Sequence, residues 1–364
     1  MSKFDKIIGY SAVKKELKQI SDTLKNREVY AKLGVSSPRG LLLYGEPGVG
    51  KSLMASAVIE ESGRKAFICR KDQPNGDFVK VIKATFEKAI ENAPSIVLLD
   101  DMDKFANGDE RHPDAEEYVT VQSCIDEAKG KEVFVLATVN NMRCLPRSLH
   151  RAGRFDRVIE IDTPRGKDAL AIIAHYLKNK KVVDNVDAKT IARIMDGRSC
   201  AELETVINEA GLYAGYERAD FITMDHFMEA IMRTVFDVPA AADDLDDEDF
   251  CATLANSNNV VSQIVYHEAG HAVVSEVLCP DSVTLVSAHN RGGRSGGFTE
   301  HLKSAQEKAV SAEVEKFYRK AKEIISLNVE FFEKVAACLA KKKLLSAVDI
   351  QKIKSECKIV PVAL

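Results

Sequence analysis

The sequence has no uninterrupted apolar run long enough to cross a bilayer, which takes about 18–20 residues. It shows no export signal at its start: residues 1–6 (MSKFDK) are polar and lead into an amphipathic segment. The expectation is a cytoplasmic protein with no membrane segment of its own, held at a membrane only if a partner anchors it. There is no Cys-x-x-Cys pair. Eight cysteines are scattered at Cys69, Cys124, Cys144, Cys200, Cys251, Cys279, Cys338 and Cys357, which argues against a structural Cys-type zinc site and for reduced, mostly buried thiols. A large excess of either charge is also lacking. A formal net charge of −4, without any basic–aromatic cluster, gives no reason to expect nucleic acid as a partner. No internal repeat is present.

What the sequence does have is size and alternation. Its 364 residues, 45% hydrophobic and 29% charged, suffice for two or three compact units of an ordinary globular protein. Residues 11–33 read as helical, with apolar spacing through Val13, Leu17, Ile20 and Leu24. Short apolar runs at Gly40–Tyr44, 96–99, 133–137 and 158–161 alternate with helical stretches, which predicts a parallel sheet with helices on both faces. Residues 168–235 carry no comparable run and read as a small helical bundle, with a break at Gly197 and Arg198. The segment 237–257 contains Asp243, Asp244, Asp246, Asp247, Glu248 and Asp249; a block of like charge repels itself and reads as a linker. From about Val260 the chain reads as mostly helical, interrupted by a Gly-rich stretch at 291–298.

The stretch from Gly45 through Glu46, Pro47, Gly48, Val49 and Gly50 to Lys51 and Ser52 fits G-x-x-x-x-G-K-[ST] between a predicted strand and a predicted helix. Glycines let several backbone N–H groups point at one anion, and the helix N-terminus adds its dipole. Lys51 can reach the outer phosphates of ATP, the Ser52 hydroxyl can ligate Mg²⁺, and Leu53 follows in the first helical turn. Asp100 closes an apolar strand, where a carboxylate can hold the Mg²⁺ shell; Asp101 can polarise the attacking water, and Asn140 at the end of the next strand can orient it. The segment 151–157 packs three arginines, Arg151, Arg154 and Arg157, into seven residues. Cleavage of a γ-phosphate gains greatly from an arginine supplied by a neighbouring subunit, which requires a ring.

Together these segments resemble the AAA subfamily of AAA+ ATPases and, within it, the FtsH family of ATP-dependent zinc proteases, from Phe4 to about Lys354 with gaps. FDKIIGYSAVKKEL at 4–17 is similar to the family's opening segment, which implies Ile8 and Gly9 near the adenine. LPRSLHRAGRFDR at 145–157 is similar to its second region of homology, implying Asn140 as the sensor and Arg151 and Arg154 as trans-acting fingers. IIAHYLKNK at 172–180 implies His175 near the nucleoside, and GRSCAELETVINEA at 197–210 resembles the lid motif around Cys200 and Ala201. The family assembles as hexamers that thread polypeptide through a pore, so a homo-hexamer and a protein substrate are expected. Departures are also present. Asp101 stands where the family has Glu, and Cys200 where it has Gly. The substrate-gripping aromatic of the pore loop falls on Pro74-Asn75-Gly76, with Phe78 nearby but out of register.

A second chemical pattern lies at His267-Glu268-Ala269-Gly270-His271. On a helix the two histidines share a face and can bind one Zn²⁺, with Glu268 as general base toward a zinc-bound water. GGFTEH at 296–301 and the run 314–346 resemble the family's strand and last helices around this site. A catalytic zinc needs three protein ligands. The family's third is an Asp on an intervening helix, which the interval Leu302–Glu313 is too short to contain; His301, Glu300 or a carboxylate from the last helices are the available substitutes.

The expected fold is an α/β P-loop AAA+ core (1–166), a helical lid (167–237), an acidic linker (238–259) and a mostly helical zincin-like, FtsH peptidase-like domain (260–364). The expected function is an ATP-dependent zinc metallopeptidase of FtsH type using ATP, Mg²⁺ and Zn²⁺. The alternative is a non-proteolytic AAA+ remodelling or scaffold ATPase with a degenerate peptidase domain, a reading that the missing third ligand and missing pore aromatic favour.

Overall fold

Hydrophobic runs too short for helices and buried on both sides become the strands of a parallel sheet. The computed structural model shows five of them; it describes residues 2–71, 75–106, 115–151, 153–184, 186–238, 260–289, 296–302 and 314–362. The strands are β1 (Gly40–Tyr44), β2 (Lys65–Cys69), β3 (Ser95–Leu99), β4 (Val133–Val139) and β5 (Arg157–Glu160). Their order is β2-β3-β4-β1-β5, and every pairing is parallel. All five residues of β3 are buried, as the unbroken run SIVLL requires. The edge strand β2 was not expected from the sequence: it is only half-buried, so KAFIC lacks the uniform apolarity that marks the central strands.

Helices α1 (Ser11–Lys25), α2 (Arg27–Lys32), α3 (Lys51–Ser62), α4 (Asn75–Glu91) and α5 (Glu116–Glu127) accompany this sheet. α1 turns Leu17, Ile20 and Leu24 inward, as its periodicity predicts. The core joins Leu42, Val97, Leu99, Val135 and Ala137 of the strands to Phe78, Phe86, Phe105 and Tyr118. These elements form one compact unit, Met1–Pro164 with Ser199–Ala201. Because all strands run the same way, the loops that follow β1, β3 and β4 gather at one edge, the usual place for a ligand in such a sheet.

The second compact unit comprises Arg165–Arg198 and Glu202–Leu364. Its first part is helical: α6 (Gly166–Leu177), α7 (Ala188–Ile194), α8 (Cys200–Tyr216, whose first two residues belong to the first unit) and α9 (Met224–Thr234). The break expected at Gly197 is real, with Gly197 at φ 76° between α7 and α8. Then come α10 (Val260–Leu278), β6 (Val283–Ser287), β7 (Phe298–His301), α11 (Val314–Leu327), α12 (Val329–Lys342), β8 (Leu344–Ser346) and α13 (Ala347–Ser355). Helices dominate this region, as expected, and β7-β6-β8 add a small antiparallel sheet. Fully buried Glu276 ties α10 to this sheet and to α13. It accepts from the Asp281 and Val283 amides and from Gln351 Nε2, each at 3.0 Å, and from Lys354 Nζ at 3.1 Å. A buried carboxylate is tolerated when its charge and lone pairs are satisfied in this way. The acidic run at 243–249 lies outside the described residues, and no helix among those described is long and apolar enough to cross a membrane. The cysteines are less buried than expected: of those described, Cys69 and Cys124 are buried, Cys279 is exposed and the rest are intermediate.

Candidate functional site

The turn after β1 is built by its glycines. Gly45, Gly48 and Gly50 take φ of 155°, 79° and 98°, the last as N-cap of α3. A Cβ on Gly45 would stand 2.0 Å from the Ile161 carbonyl oxygen, so no other residue fits there without moving the backbone just after β5. Val49 is buried and anchors the loop, while Glu46, Pro47 and Gly48 are exposed; Ser52 and Leu53 are exposed on the first turn of α3. Lys51 is 6% exposed, and its Nζ donates to the Gly45 and Glu46 carbonyls, both at 2.8 Å. Burial pushes its ammonium below the ordinary lysine value, opposed by Asp101 and Asp103. The cation therefore rests on the carbonyls of the Gly-rich turn, with carboxylates close by.

Those carboxylates come from the end of β3. Asp100 is buried; its Oδ1 accepts from Thr138 Oγ1 at 2.8 Å and its Oδ2 from Arg70. Asp101 adopts the left-handed region at φ 52°, with its amide bonded to Thr138 Oγ1 at 2.8 Å. Its carboxylate accepts from Lys104 Nζ at 2.7 Å and Asn140 Nδ2 at 3.3 Å. Burial alone would raise its pKa, but Lys104 and Asn140 outweigh that and hold it below the usual carboxylate value. Asp101 is consequently an ionised carboxylate at neutral pH. Asn140 is fixed a second time, its amide donating to Asp103 Oδ1 at 3.0 Å. Lys51, Asp100, Asp101 and Asn140, far apart in sequence, thus meet at the carboxyl edge of one sheet.

Ile8 and Gly9 are half-buried beside Tyr10, a residue that motif reading passes over. The Tyr10 hydroxyl donates to the Asp162 carbonyl at 3.0 Å and lies 3.5 Å from Cys200 Sγ. Cys200 Sγ also approaches the Val49 carbonyl at 3.7 Å, and the Ala201 amide donates to the Gly48 carbonyl at 3.1 Å. Residues 8–10 and 199–201 therefore flank the Gly-rich loop within one unit. His175 lies in the second unit, exposed on α6 and stacked edge-on against Tyr176 at 5.7 Å.

The two candidate fingers differ. Arg151 is exposed, and its side chain makes no hydrogen bond or ion pair among the described residues; only its carbonyl is engaged, accepting from the Arg154 amide at 3.2 Å. Arg154 is committed within its own subunit: it donates to Gln122 Oε1 at 2.9 Å, to the Ser148 carbonyl at 2.8 Å and to both oxygens of Asp126, the nearer at 2.7 Å. Its guanidinium holds the Asp126 carboxyl below the ordinary range. Of the pore-loop triplet, Pro74 lies outside the described residues, and Asn75 and Gly76 open α4. Phe78 is fully buried, 4.8 Å edge-on from Phe105, and is core rather than a gripping side chain.

In the second unit, α10 brings His267 and His271 together, Nε2 to Nε2 at 3.0 Å with their rings at 89°. Two nitrogens on one tetrahedral zinc, each at about 2.05 Å, stand about 3.3 Å apart, so the pair fits a chelate. Partial desolvation and then the neighbouring His267 hold the His271 imidazole below its usual pKa, which keeps its lone pair available. Glu268 is 6% exposed and accepts from Thr299 Oγ1 at 2.8 Å. Gly297 permits this approach, since a Cβ there would meet the Ser287 carbonyl oxygen at 2.3 Å and Glu268 Cγ at 2.7 Å. No cluster of three His, Cys, Asp or Glu donors that could hold a metal occurs among the described residues. Of the substitutes considered, His301 Nε2 is instead 2.8 Å from Ser275 Oγ, and Glu300 is half-buried on β7.

Comparison with known proteins bears on both units. Residues 41–163 match the family described as "ATPase family associated with various cellular activities (AAA)", and residues 185–229 match the AAA+ lid domain. Among curated relatives, the ATP-dependent zinc metalloprotease FtsH of Leptotrichia buccalis is 34% identical over 310 residues, 81% of this chain and 39% of its own. FtsH of Halothermothrix orenii is 32% identical over 319 residues, 81% of this chain and 47% of its own. FtsH of a Sulfurovum species is 33% identical over 325 residues, 84% of this chain and 46% of its own. The chain spans less than half the length of these relatives.

Proposed function

Because the chain belongs to the AAA+ ATPases of FtsH type, we propose that it binds and hydrolyses Mg-ATP at the carboxyl edge of its parallel sheet and uses the energy on protein substrates as a homo-hexameric ring. One observation carries this reading: Lys51, Asp100, Asp101 and Asn140 converge at that edge with their side chains held by hydrogen bonds. Backbone amides at Gly48–Gly50 and in the first turn of α3 would cradle the phosphates and Lys51 would take the outer ones; Mg²⁺ would be held by Ser52 and the shell of Asp100 and would neutralise charge on the phosphates. Asp101 and Asn140 orient and polarise the attacking water. Asp101→Asn keeps the shape but removes the base, so turnover is expected to fall about a hundredfold with nucleotide affinity retained. Phosphate release and nucleotide titration on the same sample check this, and an unchanged rate would remove Asp101 from the mechanism.

For the second unit we propose that His267 and His271 bind zinc and that Glu268, aligned by Thr299, is the base of a metallopeptidase. The convergent imidazoles support the reading. The donor count among the described residues favours the other one, a remodelling ATPase whose peptidase-like domain is inert. Metal content and cleavage separate them. One zinc per purified chain, lost in His267→Ala, is expected on the zinc proposal. Cleavage of an unfolded protein that Glu268→Gln abolishes supports the peptidase; zinc-loaded wild type that leaves such a substrate intact supports the remodeller.

A further inference from the structure

Arg70 follows β2 directly, in a place where the phosphate-site motifs call for no cation. The parallel register pairs Cys69 with Leu99, and the Asp100 amide donates to the Cys69 carbonyl at 3.0 Å, so residues 70 and 100 leave the sheet edge side by side. Arg70 Nε donates to Asp100 Oδ2 at 3.0 Å, and Nη2 is directed at the same oxygen. The other oxygen accepts from Thr138 Oγ1 at 2.8 Å. The Asp100 side chain is 5% exposed, whereas that of Arg70 is 65% exposed.

This asymmetry has a chemical consequence. A buried carboxylate needs a counter-charge, and here the fold supplies one from its own chain. Lys51 and Lys104 stand near the same acids: Asp101, Asp103 and Asp100 all act on both lysines. With Arg70 included, the three cations match the three carboxylates without any metal. Mg²⁺ is a hard cation that keeps its waters and needs carboxylate oxygens for itself or those waters. Both oxygens of Asp100 are engaged, one of them by a two-pronged guanidinium. The exposed side of Arg70 leaves it room to swing out.

We propose that Arg70 is a built-in counter-ion for Asp100 that competes with Mg²⁺, so that metal can join the nucleotide only when the Arg70–Asp100 pair opens. Arg70 is on this view a positioning residue: it holds the Asp100 side chain in place without metal, and it raises the Mg²⁺ concentration at which the site fills. The inference rests on the nucleotide site proposed above and adds to it a threshold for magnesium. A pair closed nine-tenths of the time lowers apparent Mg²⁺ affinity about tenfold.

The test uses the full chain and a fluorescent ATP analogue, titrated first in chelator and then, at fixed analogue, with Mg²⁺. In Arg70→Ala the Mg²⁺ midpoint is expected to fall about tenfold, while affinity for the metal-free analogue changes less than about twofold. Arg70→Gln retains hydrogen-bond donors without the charge and guards against misfolding of the alanine variant; its midpoint should fall in the same direction. Wild-type binding whose Mg²⁺ midpoint neither substitution moves overturns the counter-ion role and leaves the nucleotide site standing. Loss of metal-free affinity by the same factor in both variants also overturns it, because Arg70 would then be holding phosphate. If the wild type binds no analogue at any Mg²⁺ concentration, the nucleotide reading itself fails and the counter-ion role with it.

Discussion

Lys51→Ala is expected to abolish measurable ATP binding while leaving the fold intact. Lys51 is the first residue of α3, and alanine is the best helix former, so the helix loses nothing by the change. What is lost is the ammonium that bridges the Gly45 and Glu46 carbonyls and that sits with Asp101, Asp103 and Asp100 behind it. In the bound state its charge would be redirected to the outer phosphates. Two charge-assisted hydrogen bonds at about 1.5–3 kcal/mol each amount to roughly two to four orders of magnitude in affinity. Calorimetric titration with Mg-ATP measures this directly. An affinity within a factor of about three of wild type would remove the loop from the binding site, since that ratio corresponds to less than about 1 kcal/mol.

Arg151→Ala is expected to lower turnover about a thousandfold, the lower end of what a trans-acting arginine contributes to γ-phosphate cleavage. Nucleotide affinity should change little. The assignment falls on Arg151 because its side chain is exposed and unpaired among the described residues, while Arg154 makes four hydrogen bonds to Gln122, Ser148 and Asp126. To reach a neighbour's phosphate, Arg154 would first have to leave Asp126. Arg154→Ala should therefore lower thermal stability as well as activity, whereas Arg151→Ala should lower activity alone. Mixing gives the sharper readout. Arg151→Ala subunits retain a phosphate loop, and Lys51→Ala subunits retain the finger, so a mixture should recover turnover that neither variant has separately. If mixing recovers nothing although the two variants co-assemble, Arg151 does not act across a subunit boundary.

Much of the first unit could be read from the sequence, because its chemistry is local. Gly45–Ser52 is contiguous, and the acids of β3 follow an unbroken apolar run, so neither needs a tertiary structure to be found. The edge strand β2 was missed because an edge strand is half exposed and its residues need not be apolar. Arg70 was missed for a related reason: only the register of β2 on β3 brings it to Asp100. Tyr10 likewise gains its partners from residues 162 and 200, more than 150 positions away. The two arginines of 151–154 look alike in sequence, and only the burial of Arg154 against α5 separates them. In the second unit the histidine spacing foretold that His267 and His271 meet, since i and i+4 share a helical face. β6 and β8 were not foreseen: β8 has three residues, too few for a period to show.

Phosphate release from Mg-ATP by the purified wild-type chain is the most direct test of the nucleotide site. A rate that saturates with Mg-ATP, needs the divalent cation and disappears in Lys51→Ala is the expected result. A folded, assembled chain that releases no phosphate above background at millimolar Mg-ATP would contradict it.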